Sequence, residues 1–205
     1  MTGGRRPAHR PSRVDDVVAA GIRVFARKGL AGATMAEVAE ECGMGPAALY
    51  YHFSTKEQLF AECVRSVAAD VAGITGRGGA PPGSLPEVVR RVYDWYATSP
   101  DKARLFFLAA PGSTPEIAGT WAEFVEEHVR DLSRYVTGEA APPPGRDGPV
   151  SDLAARTAIG TANAAAMAWL SGDLFDGRVG RTTVADAVSK VMLRLLPDDG
   201  EAAAS

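Results

Sequence analysis

Tyr50, Tyr51 and His52 stand consecutively, Lys56 follows four residues after His52, and Thr34 lies upstream. Phenol, imidazole, ammonium and hydroxyl groups all donate hydrogen bonds, so together they can hold an array of anionic oxygens. Gly45, Pro46, Ala47 and Ala48 stand just ahead of the aromatic residues. Their small side chains let the backbone come close to a partner, and an alanine methyl can touch the methyl group of thymine. The combination suits a double-stranded polyanion, with donors for phosphates and small groups for base edges. Each residue also has an ordinary role open to it. Tyr50 or Tyr51 can belong to a core, His52 can be a local cap, and Lys56 can be a solvated surface charge.

These residues depend on the helices that present them. Residues 13–28 place Val14, Val17, Val18, Gly21, Val24 and Phe25 at helical spacing, and Gly29 follows as a stop. Thr34-Met35-Ala36-Glu37 has the form of a capping box and opens a second helix, which Gly43 ends after about two turns. Gly45 and Pro46 open a third, short helix to His52, with Met44 and Leu49 placed as a hydrophobic staple. On a helical wheel Leu49, Phe53 and Pro46 gather on the side facing the first two helices, and Ala47 and Tyr51 point away. Ser54 and Glu57 form a second capping-box pattern and open a fourth helix. Two short helices joined by a glycine-containing turn form a helix-turn-helix candidate.

The stretch from Thr34 through MAEVAEECGMGPAALYYHFSTKEQLF to Phe60, after an amphipathic helix ending ARKGLAGAT, resembles the TetR/AcrR family of bacterial transcriptional regulators. The resemblance covers about residues 11–71. It implies a three-helix DNA-binding head (11–71, with the helix-turn-helix at 34–53) and a larger ligand-binding and dimerisation body (75–205). On the family pattern Thr34, Tyr50, Tyr51, His52 and Lys56 match residues that commonly touch DNA. The chain departs from many relatives at Gly45 and Pro46, where Ser or a basic residue is common. Base contact at that end then rests on backbone, Ala47 and Ala48.

Beyond a Gly- and Pro-rich connector at 76–84, every long segment reads as helix, near 85–98, 101–110, 115–137, 151–171 and 182–196. A loop is expected at 138–150. No segment alternates with period two, so the fold is expected to be all-α, with about nine helices. Tyr93, Tyr96, Phe107, Trp121, Phe124 and Met167 can line an apolar cavity, and Arg104, His128 or Asn163 can orient a ligand there. Core packing and a backbone-bonded Asn163 are the plain alternatives. Gly160, Ala164 and Ala168 recur every four residues, and the last helix carries Val184, Val188, Val191 and Leu195. Two such helices from each of two chains would make a four-helix homodimer interface, as the resemblance implies. The alternative is packing inside one monomer.

Charge is distributed unevenly over the 205 residues. Residues 1–60 carry a net +2 and residues 61–205 a net −5, and Arg5, Arg6, Arg10 and Arg13 come with no acid among the first thirteen. Residues 1–10 read as a flexible basic arm, suited to an anionic partner or simply to solubility. No run of 18 apolar residues exists, so no membrane-spanning helix is expected. The basic N-terminus leads into no unbroken apolar core, so a cytoplasmic location is expected rather than secretion. Two cysteines and three scattered histidines give no disulfide framework or metal motif. With no phosphate loop, nucleophile elbow or metal pattern, neither catalysis nor a cofactor is expected. The expected function is a dimeric, ligand-responsive repressor reading a pseudo-palindromic operator. An activator, or a regulator without a small ligand, is the alternative.

Overall fold

The computed structural model describes residues 13–76, 83–137, 149–172 and 178–196. The basic arm at 1–10, most of the connector at 76–84 and the loop expected at 138–148 lie outside the described residues. Among those described there is no strand. The helices are α1 (Arg13–Gly32), α2 (Met35–Glu41), α3 (Pro46–His52), α4 (Lys56–Thr75), α5 (Leu85–Thr98), α6 (Pro100–Arg104), α7 (Pro115–Thr137), α8 (Pro149–Ser171) and α9 (Arg181–Leu195).

Helix α1 is kinked at Gly29, whose φ of 66° requires the left-handed region that glycine enters without a Cβ penalty. The glycine read as a stop is therefore where the regular helix breaks, and one further turn continues beyond it. The segment expected as one helix near 101–110 is α6 followed by a π turn over Leu105–Ala109. The Ala110 N–H donates to the Leu105 carbonyl at 2.9 Å, one residue further back than an α-helix reaches. This wider turn carries Leu105, Phe106 and Phe107, all buried. Pro149 and Val150, expected in a loop, already belong to α8.

The core is apolar and continuous across the chain. Val17, Val24 and Phe25 of α1, Val38 of α2, Leu49 of α3 and Leu59, Phe60, Val64 and Val67 of α4 close the N-terminal part. Phe25 and Phe60 meet edge to face with ring centres 4.9 Å apart. Leu105, Phe106 and Val129 continue the same cluster into the later helices. The boundary expected between residues 71 and 75 falls inside the last turn of α4, which runs unbroken for 20 residues.

Helices α1 and α4 meet at Gly21. A Cβ there would stand 2.9 Å from Cys63 Sγ and 3.5 Å from the Leu59 side chain. The missing side chain therefore sets how closely the two helices approach. Gly21→Ala should destabilise the protein by about 1–3 kcal/mol in urea unfolding, because overpacking forces the neighbours to shift. Cys63→Ala in the same chain should offset part of that loss, so that the double variant costs less than the two single changes added. Strict additivity would show that the contact does not limit the packing.

Candidate nucleic-acid interface

Helix α2 is fixed by reciprocal bonds at its start. The Glu37 N–H donates to Thr34 Oγ1 at 3.3 Å, and the Thr34 N–H donates to Glu37 Oε2 at 2.9 Å. The other Glu37 oxygen accepts from Lys28 Nζ. Glu41, at the far end of α2, accepts from Arg23 Nε at 2.7 Å and from Arg27 Nη2 at 2.8 Å. Three cations of α1 thus hold two carboxylates of α2. The Lys28 ammonium and the Thr34 donors keep the Glu37 carboxyl below the usual carboxylate range. Arg23 and Arg27 do the same for Glu41.

The turn between α2 and α3 is a Schellman motif. Gly43 takes φ 67°, its N–H donates to the Glu40 carbonyl at 3.1 Å, and the Met44 N–H reaches Ala39 at 2.8 Å. Pro46 opens α3 at its first position, where a proline costs no hydrogen bond. Leu49 and Phe53 are buried and anchor the helix. Gly45, Pro46, Ala47, Ala48, Tyr50 and Tyr51 are exposed, Tyr51 to 87%. The wheel placed Pro46 on the inner side, and the structure corrects this. A helix of two turns reaches the core through Leu49 alone, with Phe53 just beyond its end, and its first turn stands clear. His52 is half-buried, with its ring 5.4 Å from that of Tyr51 and edge-on to it.

Helix α4 begins one residue later than the Ser54–Glu57 pattern predicts. The cap is Thr55, whose Oγ1 accepts from the Gln58 N–H at 3.1 Å, while Gln58 Oε1 accepts from the Ser54 N–H at 3.0 Å. Thr55 and Gln58 fit the same pattern, and sequence spacing does not separate the two registers. Lys56 Nζ donates to the Ala33 carbonyl at 2.9 Å. It is therefore a strap between α4 and the residue preceding Thr34 as well as a positive charge. Thr34 is exposed and Lys56 half-buried, and the bond to Ala33 keeps the two on one surface.

In the later helices, a cavity of about 100 Å³ lies among α4, α5, the π turn, α7, α8 and α9. Tyr93, Tyr96, Phe107, Phe124, His128 and Asn163 line it. Trp121, Met167 and Arg104 are not on its wall. Trp121 and Met167 are half-buried and pack against the core elsewhere. Sequence reasoning missed Val71 and Thr75 at the end of α4, and Met192 of α9. Val71 and Thr75 stand one turn apart at the end of α4, across the expected boundary between head and body. Burial pushes the Tyr93 and Tyr96 hydroxyls above their ordinary pKa.

Among the proposed interface residues, Gly160 and Ala164 are exposed along α8 and Ala168 is half-buried. On α9, Val191 is exposed and Leu195 half-buried. Val184 and Val188 are buried inside the protomer, which removes them from any outer surface. Their one-turn spacing marked an apolar face without showing which side it faced. Leu153 and Leu193 are exposed and had not been singled out. Among the described residues no helix is long and apolar enough to cross a membrane.

A buried three-helix core that presents an exposed third helix defines a helix-turn-helix fold. Residues 17–63 match the family described as bacterial regulatory proteins, tetR family. Over these residues the chain is similar to the TetR/AcrR family of transcriptional regulators. The HTH-type transcriptional repressor AcnR of Corynebacterium diphtheriae is 31% identical over 117 residues, 54% of this chain and 56% of that protein. KstR2 of Mycolicibacterium smegmatis, also an HTH-type transcriptional repressor, is 34% identical over 59 residues, 29% of each chain. The chain thus spans about half the length of AcnR. A tetR-family regulator from Streptomyces coelicolor has the same fold, with TM-score 0.70 at 17% identity over 89% of this chain and 79% of that one. So does Bacillus subtilis FadR, solved with stearoyl-CoA, with TM-score 0.66 at 18% identity over 89% of this chain and 99% of that one.

The Glu37 and Glu41 pairs make an acid-sensitive clasp. Both carboxyls titrate below their ordinary value of 4.5 in the folded state. The unfolded chain therefore takes up these protons first on acidification. The stabilisation is complete above that value and is lost as pH falls through the folded-state values. The urea midpoint should drop between about pH 5 and pH 3, and Glu37→Gln with Glu41→Gln should flatten that drop. An equal slope in the double variant would take the clasp out of the acid response.

Proposed function

We propose that this protein is a homodimeric transcriptional repressor that reads a pseudo-palindromic operator and is released from it by a small, largely apolar molecule. The observation that carries the reading is the exposed face of α3, where Ala47, Ala48, Tyr50 and Tyr51 stand free while Leu49 and Phe53 hold the helix from behind. Such a face fits a major groove. Alanines at its N-terminal end lie close to base edges, and aromatic donors at its C-terminal end meet phosphates. Gly45 and Pro46 keep the entering end slim. Thr34, His52 and Lys56 supply phosphate donors at the flank. The repressor sense draws on the matches to AcnR and KstR2, both named as repressors.

Dimerisation is assigned to the outer surface of α8 and α9, through Leu153, Gly160, Ala164 and Ala168 with Val191 and Leu195. Small residues there let a partner helix approach closely, and the exposed leucines and valine supply apolar area. The cavity against the end of α4 is the effector site in this reading. FadR, of the same fold, was solved with a bound acyl-CoA.

Selection from a random duplex pool tests the whole reading. The protein should enrich a pseudo-palindrome, and Tyr51→Ala should enrich nothing. Ala164→Arg should sediment as a folded monomer and lose the two-fold symmetric consensus. No enrichment by a folded, dimeric wild-type protein would refute the operator reading.

Lys56→Met separates strap from charge. It should weaken binding to all sequences alike and lower the slope of log affinity against log salt by about one. An unchanged slope would confine Lys56 to its bond with Ala33.

A further inference from the structure

The cavity wall carries chemistry more specific than a general apolar site. No carboxylate, ammonium or guanidinium group lies on it. Most of the lining is aliphatic or aromatic, with Tyr93, Tyr96 and Phe107 forming an edge-to-face stack at 5.0 and 5.2 Å between ring centres. Two of its polar groups are already engaged. His128 Nδ1 donates to the Phe124 carbonyl at 2.9 Å, and His128 Nε2 lies 2.8 Å from Thr75 Oγ1. Two others are not. The Tyr93 hydroxyl is buried without a hydrogen-bond partner, on a residue only 2% exposed. The Asn163 amide makes no hydrogen bond among the described residues. A buried donor left unmade is costly, and a ligand that satisfies it gains what the folded protein alone forgoes.

From these observations we infer that the cavity recognises a small uncharged molecule with an apolar body and one hydrogen-bond acceptor, such as a ketone, lactone or ester oxygen, which takes the Tyr93 O–H. The inference rests on the reading of the body as an effector site and names the ligand class of that site. Size narrows it further. A dry cavity of about 150 Å³ holds benzene, so about 100 Å³ holds a body of roughly six heavy atoms or fewer. A long acyl chain does not fit without parting the helices. An anionic ligand would be desolvated against a wall whose one titratable base, His128, already has both ring nitrogens engaged, which disfavours it. Burial also holds the Tyr93 phenol in its protonated, donating form.

Cyclopentanone, cyclopentane and the carboxylate butyrate, none larger than six heavy atoms, serve as probes, read by calorimetric titration and by the shift in Tm of the full chain. Wild-type protein should bind the ketone about tenfold more tightly than the hydrocarbon, the worth of one buried uncharged hydrogen bond. The carboxylate should give no shift. Tyr93→Phe should bind cyclopentane as wild type does, which shows that it is folded with the cavity intact, and should lose the preference for the ketone. Ala162→Leu, which fills the cavity, should lose both probes. A ketone preference that survives Tyr93→Phe, or carboxylate binding equal to the ketone, overturns the inference. So does the absence of any shift with wild-type protein. In that case the operator reading is untouched, because the duplex selection measures it without any ligand.

Discussion

Everything in this molecule depends on α4 being one continuous helix packed closely on α1. Twenty residues at 1.5 Å each span about 30 Å, enough to start in the head and end in the body. At the first turn, Lys56 fastens α4 to the carbonyl of Ala33, next to the start of α2. In the middle, the bare Cα of Gly21 lets α1 lie against Cys63 and Leu59. Near the far end, Asp70 accepts from Lys102 Nζ of α6 at 2.6 Å, and Thr75 meets His128 of α7. One helix therefore touches both the cavity wall and the turn that positions Thr34 and Lys56. The polar ties would each be worth little at the surface. They matter because they fix both ends of one stiff element whose middle is fully buried.

The electrostatics of the head follow from the same economy of parts. Its basic helix α1 does not offer Arg23, Arg27 and Lys28 freely to an anion, since all three are bonded to Glu37 and Glu41. Those pairs are exposed, and their value lies in orientation more than in stability. They hold α2 at one angle to α1, and α3 inherits that angle through the four-residue link at 42–45. In the proposed reading, attraction to a phosphate backbone then falls to Lys56, to hydroxyl and phenol donors, and to the arginines ahead of α1. A modest basic surface on an acidic chain favours short-range contacts over long-range steering.

How far the sequence revealed this arrangement differs by element. The head was legible because local signals agree with global packing: capping box, left-handed glycine, proline at the first helical position and a two-sided apolar pattern all mark the same boundaries. Where two registers satisfied the same signal, as with Ser54–Glu57 and Thr55–Gln58, the sequence had no means of choosing. In the body, the helix positions were legible but the directions of their faces were not. Val184 and Val188 have the same spacing and chemistry whether they meet α5 and α8 or a second chain. Trp121 and Met167 are aromatic and apolar like the cavity residues, yet they sit on other sides of their helices. The π turn has no local signature at all, and it is what sets the direction of Phe107.

The size of the cavity limits what an effector can do. Even the best small ligands bind with no more than about 1.5 kcal/mol per heavy atom, so roughly six atoms supply at most about 9 kcal/mol in total. Taking a two-state protein from 1:99 to 99:1 requires about 5.5 kcal/mol of difference in affinity between the states. A ligand confined to about 100 Å³ would have to spend more than half of its greatest attainable binding energy on discrimination. Such a ligand works only on a protein already poised near balance. Poise of that kind is consistent with a body that leaves the Tyr93 hydroxyl unsatisfied at the centre of its packing. In the proposed reading one acceptor atom removes the cost of that unsatisfied group, and α4 forms part of the wall around it. Differential affinity between two positions of α4, rather than affinity alone, is what would move the head.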